Sequence, residues 1–276
     1  MRNLKIIVVV LFLVVSIAFT ALFCYNFVVA DRTAPVIYCD GEPLEVSVSA
    51  SDRDLCAGLQ ATDDRDGDIT DRIIVQKVSR LISNNTAVVS YAVFDSSSNV
   101  CTFSRDVTYT DYRSPRFTLD QPLIYSLNSL ITIEDRLKAS DVIDGDISSR
   151  IRLSSSNVYN DSPGQYPILI QVTNSTGDTS AVRLTVTIKN YTARDPVIRL
   201  DHYLIYIDSD TELDTESLRE HILSVQESAD GAAVDPSLVE ISGEIDYTRP
   251  GSNDITFSYV NSDGLDYSVI LTVVRE

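Results

Sequence analysis

Hydrophobic and polar positions along this chain follow one pattern near the N-terminus and a different one, repeated three times, after it. Ile6 to Phe23 is an unbroken run of apolar or small residues, continued weakly through Val28-Val29-Ala30 and preceded by Arg2 and Lys5. A run close to the ~20 residues that cross a bilayer, and longer than the ~7–15 of a signal-peptide core, predicts a helical signal anchor. Beyond it, apolar residues recur at every second position. The in-phase sets are Ala87, Val89, Tyr91 and Val93, then Tyr166, Ile168, Ile170 and Val172, then Ile255, Phe257 and Tyr259. Period two with polar residues between predicts strands with one buried and one wet face.

Each of these strands runs into a turn and a second alternating strand. The turns are Asp95-Ser96-Ser97-Ser98-Asn99, Asn174-Ser175-Thr176-Gly177 and Asn261-Ser262-Asp263-Gly264. Their residues tolerate left-handed backbone or bond their own turn, as a hairpin requires. The partners read Phe103, Arg105, Val107 and Tyr109, then Val182, Leu184, Val186 and Ile188, then Val269, Leu271 and Val273. Upstream, every unit opens on a proline before a short strand, at Pro35, Pro115 and Pro196, consistent with the first residue of an edge strand. One helix is predicted from Thr215 to Gln226, where Leu218, Ile222 and Val225 fall at helical spacing.

The period is near eighty residues and carries its own signature, Asp66-Gly67-Asp68-Ile69-Thr70 answered by Asp144-Gly145-Asp146-Ile147-Ser148. The third unit keeps Asp230-Gly231 but has Ala232 and Ala233 where the Asp and Ile of the signature would stand. The organisation expected is therefore residues 1–30 as signal anchor or signal peptide, then domains at 33–112, 114–192 and 195–276. The fold class is all-β, with three tandem immunoglobulin-like β-sandwich domains behind an N-terminal transmembrane helix. Linkers of two or three residues predict a semi-rigid rod.

Composition narrows the function. The net charge is −18, a field that repels phosphate backbones and argues against nucleic acid as a partner. With basic residues on the short inner flank, everything after Asp31 is expected outside, in a single-pass protein of the cell membrane. Cleavage after Ala30, releasing the domains, is the alternative. His202 and His221 are the only histidines, and no nucleophile elbow, zinc helix or phosphate loop occurs, so a non-catalytic role is expected.

Asp63, Asp64, Asp66 and Asp68 fall within six positions, and Asp141, Asp144 and Asp146 repeat the last three at similar spacing. Carboxylates around a tight loop suit calcium, although the twelve-residue EF-hand spacing is not met. The same acids also suit a turn in which Asp side chains accept from nearby backbone N–H groups. Both readings stay open at this stage. Cys39, Cys56 and Cys101 all lie in the first unit, and an oxidising exterior favours one bridge with a thiol left over. Tyr109, Tyr112, Tyr125, Tyr203 and Tyr206 are the aromatic candidates for a sugar platform, and Lys77, Lys138 and Lys189 the only lysines beyond the apolar run that an isopeptide bond would use.

The string from Ala61 to Thr70, followed by Val89 to Asp95 and Ser98-Asn99, resembles the bacterial immunoglobulin-like repeats of Gram-positive surface proteins. The same repeats resemble a domain in a pesticidal crystal toxin. Pro35-Val36-Ile37-Tyr38-Cys39 and Asn99-Val100-Cys101-Thr102-Phe103 are similar to the hyalin repeat of extracellular adhesion proteins. That resemblance implies a Cys39–Cys101 disulfide joining first strand to last, which lie side by side in such sandwiches.

The family resemblances imply an extracellular spacer or adhesion module whose partner is an unidentified protein or glycan. Alternative expectations are a stalk rigidified by calcium at the Asp-Gly-Asp loops, and carbohydrate-binding accessory domains of a secreted hydrolase system. The third unit, the most divergent, is the expected site of specific binding. Removing residues 195–276 is expected to abolish that binding and leave the first two domains folded.

Overall fold

A computed structural model of the chain describes residues 2–41, 43–83 and 85–276. The side chains at 2–5, 26–29, 82–83 and 155–156 lie outside that description, and with them the charged groups of Arg2 and Lys5 and the Val28 of the cleavage reading. Helix α1 (Arg2–Val29) contains a segment, Ile6–Tyr25, of mean hydropathy 3.1 that is long and apolar enough to cross a membrane, with none of it buried by protein. Everything after it is built on β-sheet.

In the first repeat the elements are β1 (Val36–Cys39), β2 (Leu44–Val46), α2 (Asp52–Leu55), β3 (Leu59–Asp63), β4 (Gly67–Asp68), β5 (Ile74–Ser83), β6 (Thr86–Phe94) and β7 (Val100–Tyr109). They form two sheets, β1-β3-β4 and β2-β7-β6-β5. Strands β6 and β7 pair antiparallel with Val89 opposite Arg105 and Tyr91 opposite Phe103. Strand β2 runs parallel to β7, Leu44 opposite Val107. The turn α2 was not foreseen. A reciprocal capping box forms it, Ser51 accepting from the Asp54 backbone and Asp54 from the Ser51 backbone, and it buries Leu55 against the core.

The second repeat follows the same plan with β8 (Arg116–Leu119), β9 (Ile124–Tyr125), β10 (Leu137–Asp141), β11 (Gly145–Asp146), β12 (Arg152–Ser156), β13 (Gly164–Thr173) and β14 (Thr179–Ile188), in sheets β11-β10-β8 and β12-β13-β14-β9. The third has β15 (Val197–Leu200), β16 (Leu204–Ile207), α3 (Thr215–Arg219), β17 (Ile222–Gln226), β18 (Glu240–Ser242), β19 (Gly251–Val260) and β20 (Asp266–Arg275), in sheets β15-β17 and β16-β20-β19-β18. In all three, the period-two residues fill the space between the sheets. Val89, Tyr91, Val93, Ile168, Ile170, Val172, Ile255 and Phe257 are each at most 2% exposed, and burying side chains of this size stabilises by about 1.5–3 kcal/mol apiece.

The chain divides into two compact units, Met1–Thr110 and Asp111–Glu276. The second holds the second and third repeats, and these do not follow one another as beads. Their buried residues form one continuous cluster, from Phe117 through Ile188 to Ile198 and Val273. Across the seam the Tyr203 N–H donates to the Leu119 carbonyl (2.9 Å), and the Phe117 N–H to the Tyr206 hydroxyl (2.8 Å). Thr185 bonds Asp254 (2.5 Å), Lys189 pairs with Asp266 (2.6 Å), Arg116 pairs with Glu276, and Tyr191 packs on Tyr267 with centroids 4.9 Å apart. Short linkers between these two repeats thus bring them flank to flank, not into an end-to-end rod segment.

Two further expectations are corrected. Helix α3 stops at Arg219, and Ile222–Gln226 is instead the strand β17 that β15 requires as its antiparallel partner. The spacing of Leu218, Ile222 and Val225 suits either element over so short a run, and sheet pairing decides it. The Cys39–Cys101 disulfide is absent, and all four cysteines are free thiols. Its premise fails in the topology. Cys39 ends β1, which among the described residues pairs with β3, whereas β7 lies in the other sheet between β2 and β6. The Cys39 and Cys101 sulfurs contact Asp40 and the Thr102 carbonyl instead, each at 3.8 Å.

Candidate functional site

The Asp-Gly-Asp-Ile signature builds the same device twice. Gly67 and Gly145 turn the chain at φ +73° and +69°, a left-handed conformation that glycine adopts without strain. Asp68 and Asp146 each accept the N–H of the residue two further on, Thr70 and Ser148. Those two hydroxyls reach back to the Ala61 and Ala139 backbones, each accepting an N–H at 3.0 Å. Ile69 and Ile147, both 1% exposed, drop into the core.

Asp66 and Asp144 face the other way and latch the turn to the hairpin tip some thirty residues on. Asp66 accepts both the N–H and the hydroxyl of Ser96 (2.7 Å each) and pairs with Arg72 at 2.7 Å. Asp144 accepts the N–H and hydroxyl of Ser175 (2.6 Å each) and pairs with Arg150. The serine hydroxyl is the foremost cause holding each carboxyl below its ordinary range, with the arginine adding to it. A depressed folded-state value contributes stability that is present above the unfolded value near ~4 and lost as pH falls through the folded one. Thermal midpoints are therefore expected to stay level from pH 7 to pH 5 and to drop below about pH 4. Asp66→Asn with Asp144→Asn should blunt that acid limb.

The third repeat reaches the same latch by another residue. Gln226 pairs with Val197 as Thr62 pairs with Val36, so Glu227 stands where the first repeat has Asp63. Its longer side chain reaches Ser262, whose N–H (3.1 Å) and hydroxyl (3.2 Å) it accepts. The core position of Ile69 falls to Val234, whose N–H bonds the Val225 carbonyl as that of Ile69 bonds Ala61. The alignment of Ala233 with that isoleucine is thus off by one residue.

The three hairpin tips share one closing bond. Asp95, Asn174 and Asn261 each accept from the backbone of the residue four further on, and the positions three further on are left-handed, Ser98 at +71°, Gly177 at +89° and Gly264 at +77°. Only the first repeat puts a side chain there. Ser98→Gly is expected to stabilise that unit by about 0.5–1 kcal/mol, the left-handed cost less glycine's extra unfolded freedom, read as a higher melting temperature.

One tip differs in charge. Carboxylate oxygens of Asp31, Asp63 and Asp95 lie within 4.8 Å of one another. Asp63 and Asp95 are 9% and 7% exposed, and the Asp31 side chain 3%. Asp31 Oδ1 accepts the Thr33 N–H, and both Asp95 oxygens accept from Asn99. Asp63 Oδ1 accepts the N–H groups of Arg65 and Asp66, while its Oδ2 is buried with no partner. One guanidinium, that of Arg65, stands 3.8 Å from Asp31 and is half exposed.

In the second repeat the same corner has an amide donor in place of one acid. Asn174 replaces Asp95, and its amide donates to Asp141 Oδ2 (3.1 Å) and to the Tyr112 hydroxyl (2.9 Å). Of the acids singled out by the sequence, Asp63 and Asp141 thus sit at buried corners. Asp66, Asp68, Asp144 and Asp146 act as turn and latch acceptors, and Asp64 is exposed. Asp31 and Asp95 were not foreseen.

Other candidates look inward or pair locally. Tyr125 and Tyr203 are 5% and 4% exposed. Tyr109, Tyr112 and Tyr206 are half-buried. Lys138 pairs with Asp120, and His221 with Asp201 at 2.9 Å.

No family model matches the chain. The pesticidal crystal protein Cry22Aa of Bacillus thuringiensis is 29% identical over 133 residues, which is 47% of this chain and 18% of that protein. The match thus spans less than a fifth of that protein's length. Among solved structures, the M60 catalytic domain with the CBM51-1 and CBM51-2 domains from Clostridium perfringens ZmpB is 12% identical, over 87% of this chain and 30% of that one, at a TM-score of 0.24. The lipoprotein BT2262 from Bacteroides thetaiotaomicron is 12% identical over 59% of this chain and all of its own, also at 0.24. The Protocadherin GammaB4 extracellular domain is 10% identical over 88% of this chain and 51% of its own, at 0.21. Likenesses this low bear on neither ligand nor activity.

Proposed function

We propose that this chain is a non-catalytic, membrane-anchored array of immunoglobulin-like units, displayed outside the cell as a spacer or adhesion module toward a protein or glycan. The observation that carries this reading is the junction. An apolar helix segment, Ile6–Tyr25, with no protein covering it, is followed within ten residues by the first of three copies of one two-sheet plan. A helix apolar on every side is buried in a protein core or in a bilayer, and no protein of this chain covers this one. The acidic β units are suited to water and to an exterior surface. Non-catalysis is supported by the local roles of the polar groups. The signature acids are engaged by serine, threonine and arginine, and His202 and His221 both lie against Asp201 on the third repeat.

The anchor is tested by expressing the full chain in a Gram-positive host, washing membranes with alkaline carbonate and weighing the product. Retention in the membrane at full-length mass supports it. Release of a product lacking the first 30 residues would replace the anchor with a cleaved signal peptide.

A further inference from the structure

We propose that Asp31, Asp63 and Asp95 form a binding site for one divalent cation of the hard, oxygen-seeking class, calcium, in the first repeat alone. Three buried carboxylates with oxygens within 4.8 Å of one another repel strongly unless a cation or a proton donor stands between them. The second repeat supplies such a donor. The Asn174 amide bonds Asp141 Oδ2, the atom whose counterpart, Asp63 Oδ2, is buried and unpartnered. Position 95 carries a third acid where a donor is needed, so the carboxylate that has an amide partner in one repeat faces further carboxylates in the other.

Oδ1 of Asp63 is committed to two backbone N–H groups, which fixes the carboxylate and leaves Oδ2 facing position 95, as Asp141 Oδ2 faces Asn174. The Asp95 oxygens and Asp31 Oδ1 are likewise held by donors from Asn99 and Thr33, so the donor set is preorganised. The Arg65 guanidinium 3.8 Å from Asp31 reduces the charge at the rim.

All the donors are oxygens, which selects hard cations over zinc or copper. Calcium tolerates an irregular carboxylate set and sheds water more readily than magnesium, which demands a near-ideal octahedron. The site borders the first Asp-Gly-Asp loop, whose Asp66 N–H holds Asp63 Oδ1, but it does not use the Asp66 carboxylate, which is taken by Ser96 and Arg72. Asp31 lies two residues past α1, Asp63 ends β3 and Asp95 follows β6, so an ion there joins three separate segments of the first unit. The inference does not depend on which side of a membrane the unit occupies.

The test is calorimetric titration of calcium into the metal-free full-length chain in detergent micelles, with thermal melting alongside. One site per chain is expected, with a dissociation constant of about 10⁻⁴–10⁻³ M and a rise of several degrees in the melting of the first unit. Magnesium should produce a smaller shift. Asp95→Asn rebuilds the Asn174 arrangement. It should abolish calcium binding while melting, metal-free, at or above the metal-free parent. This keeps the outcome readable even where Asp63→Asn fails to fold. Asp68→Asn and Asp144→Asn, loop acids that do not contact the site, should retain one calcium per chain. No heat and no shift at about 10 mM calcium, undiminished binding by Asp95→Asn, or loss of binding on Asp68→Asn or Asp144→Asn would each overturn the proposal.

Discussion

Truncating the chain after Arg194 is expected to destabilise the second repeat, not merely to remove the third. Phe117, Leu119, Leu184 and Ile188 share a core with Leu200, Leu204, Leu271 and Val273, and the seam is closed by the Tyr203–Leu119, Thr185–Asp254 and Lys189–Asp266 bonds. A domain of roughly eighty residues has little stability to spare, since whole domains hold only about 5–15 kcal/mol. Half-uncovering several such apolar side chains, at about 1 kcal/mol each, consumes much of that. The intact chain should show one cooperative transition for residues 111–276, and the truncated chain a second repeat that melts far lower or binds a dye for exposed apolar surface. A second repeat melting unchanged after truncation would mean that the seam contributes nothing. With the seam of residues 111–276 cut, the first unit alone is expected to remain folded without the third repeat.

Ile147→Ala is the second large effect. The side chain is 1% exposed and held by a turn with hydrogen bonds on both sides, so the site has little freedom to collapse around a cavity. A cost of about 2–5 kcal/mol is expected. Because the second and third repeats share a core, both should melt lower, while the first unit is unaffected. Ile69→Ala, its counterpart, should cost a similar amount in the first unit and leave residues 111–276 untouched. Denaturant midpoints followed separately for the two units distinguish these outcomes.

Much of this architecture was legible before any coordinates because it is periodic. Two-residue alternation marked the long hairpins β6–β7, β13–β14 and β19–β20, and the residues it placed inward are those found between the sheets. The Asp-Gly-Asp-Ile signature was equally visible, but not its purpose. Asp66 acts on Ser96, and no local rule connects residues thirty positions apart. The third repeat misled for a related reason. Glu227 performs the latch from three positions before Asp230, using side-chain length to replace a turn, and a letter-by-letter alignment cannot register such an exchange. Ile222–Gln226 had apolar spacing suited to helix or strand, and only the partner strand β15 chose between them.

The buried acidic corner left one readable trace. Asp95 differs from Asn174 and Asn261 at an otherwise repeated turn, a contrast available within the chain itself. Asp31 carried none, lying where the apolar run ends and reading as a boundary. The Cys39–Cys101 pairing failed because the strand beside β7 is not β1 but its successor β2, a distinction of about five residues that a resemblance does not resolve.

The central claim, that these β units stand outside a membrane anchored by α1, is tested most directly by adding a broad-specificity protease to intact cells displaying the full chain and to lysed cells in parallel. The account predicts that intact cells lose the β units to the protease while a short membrane-held fragment containing Ile6–Tyr25 survives. Full-length chain protected in intact cells and digested only after lysis would contradict it.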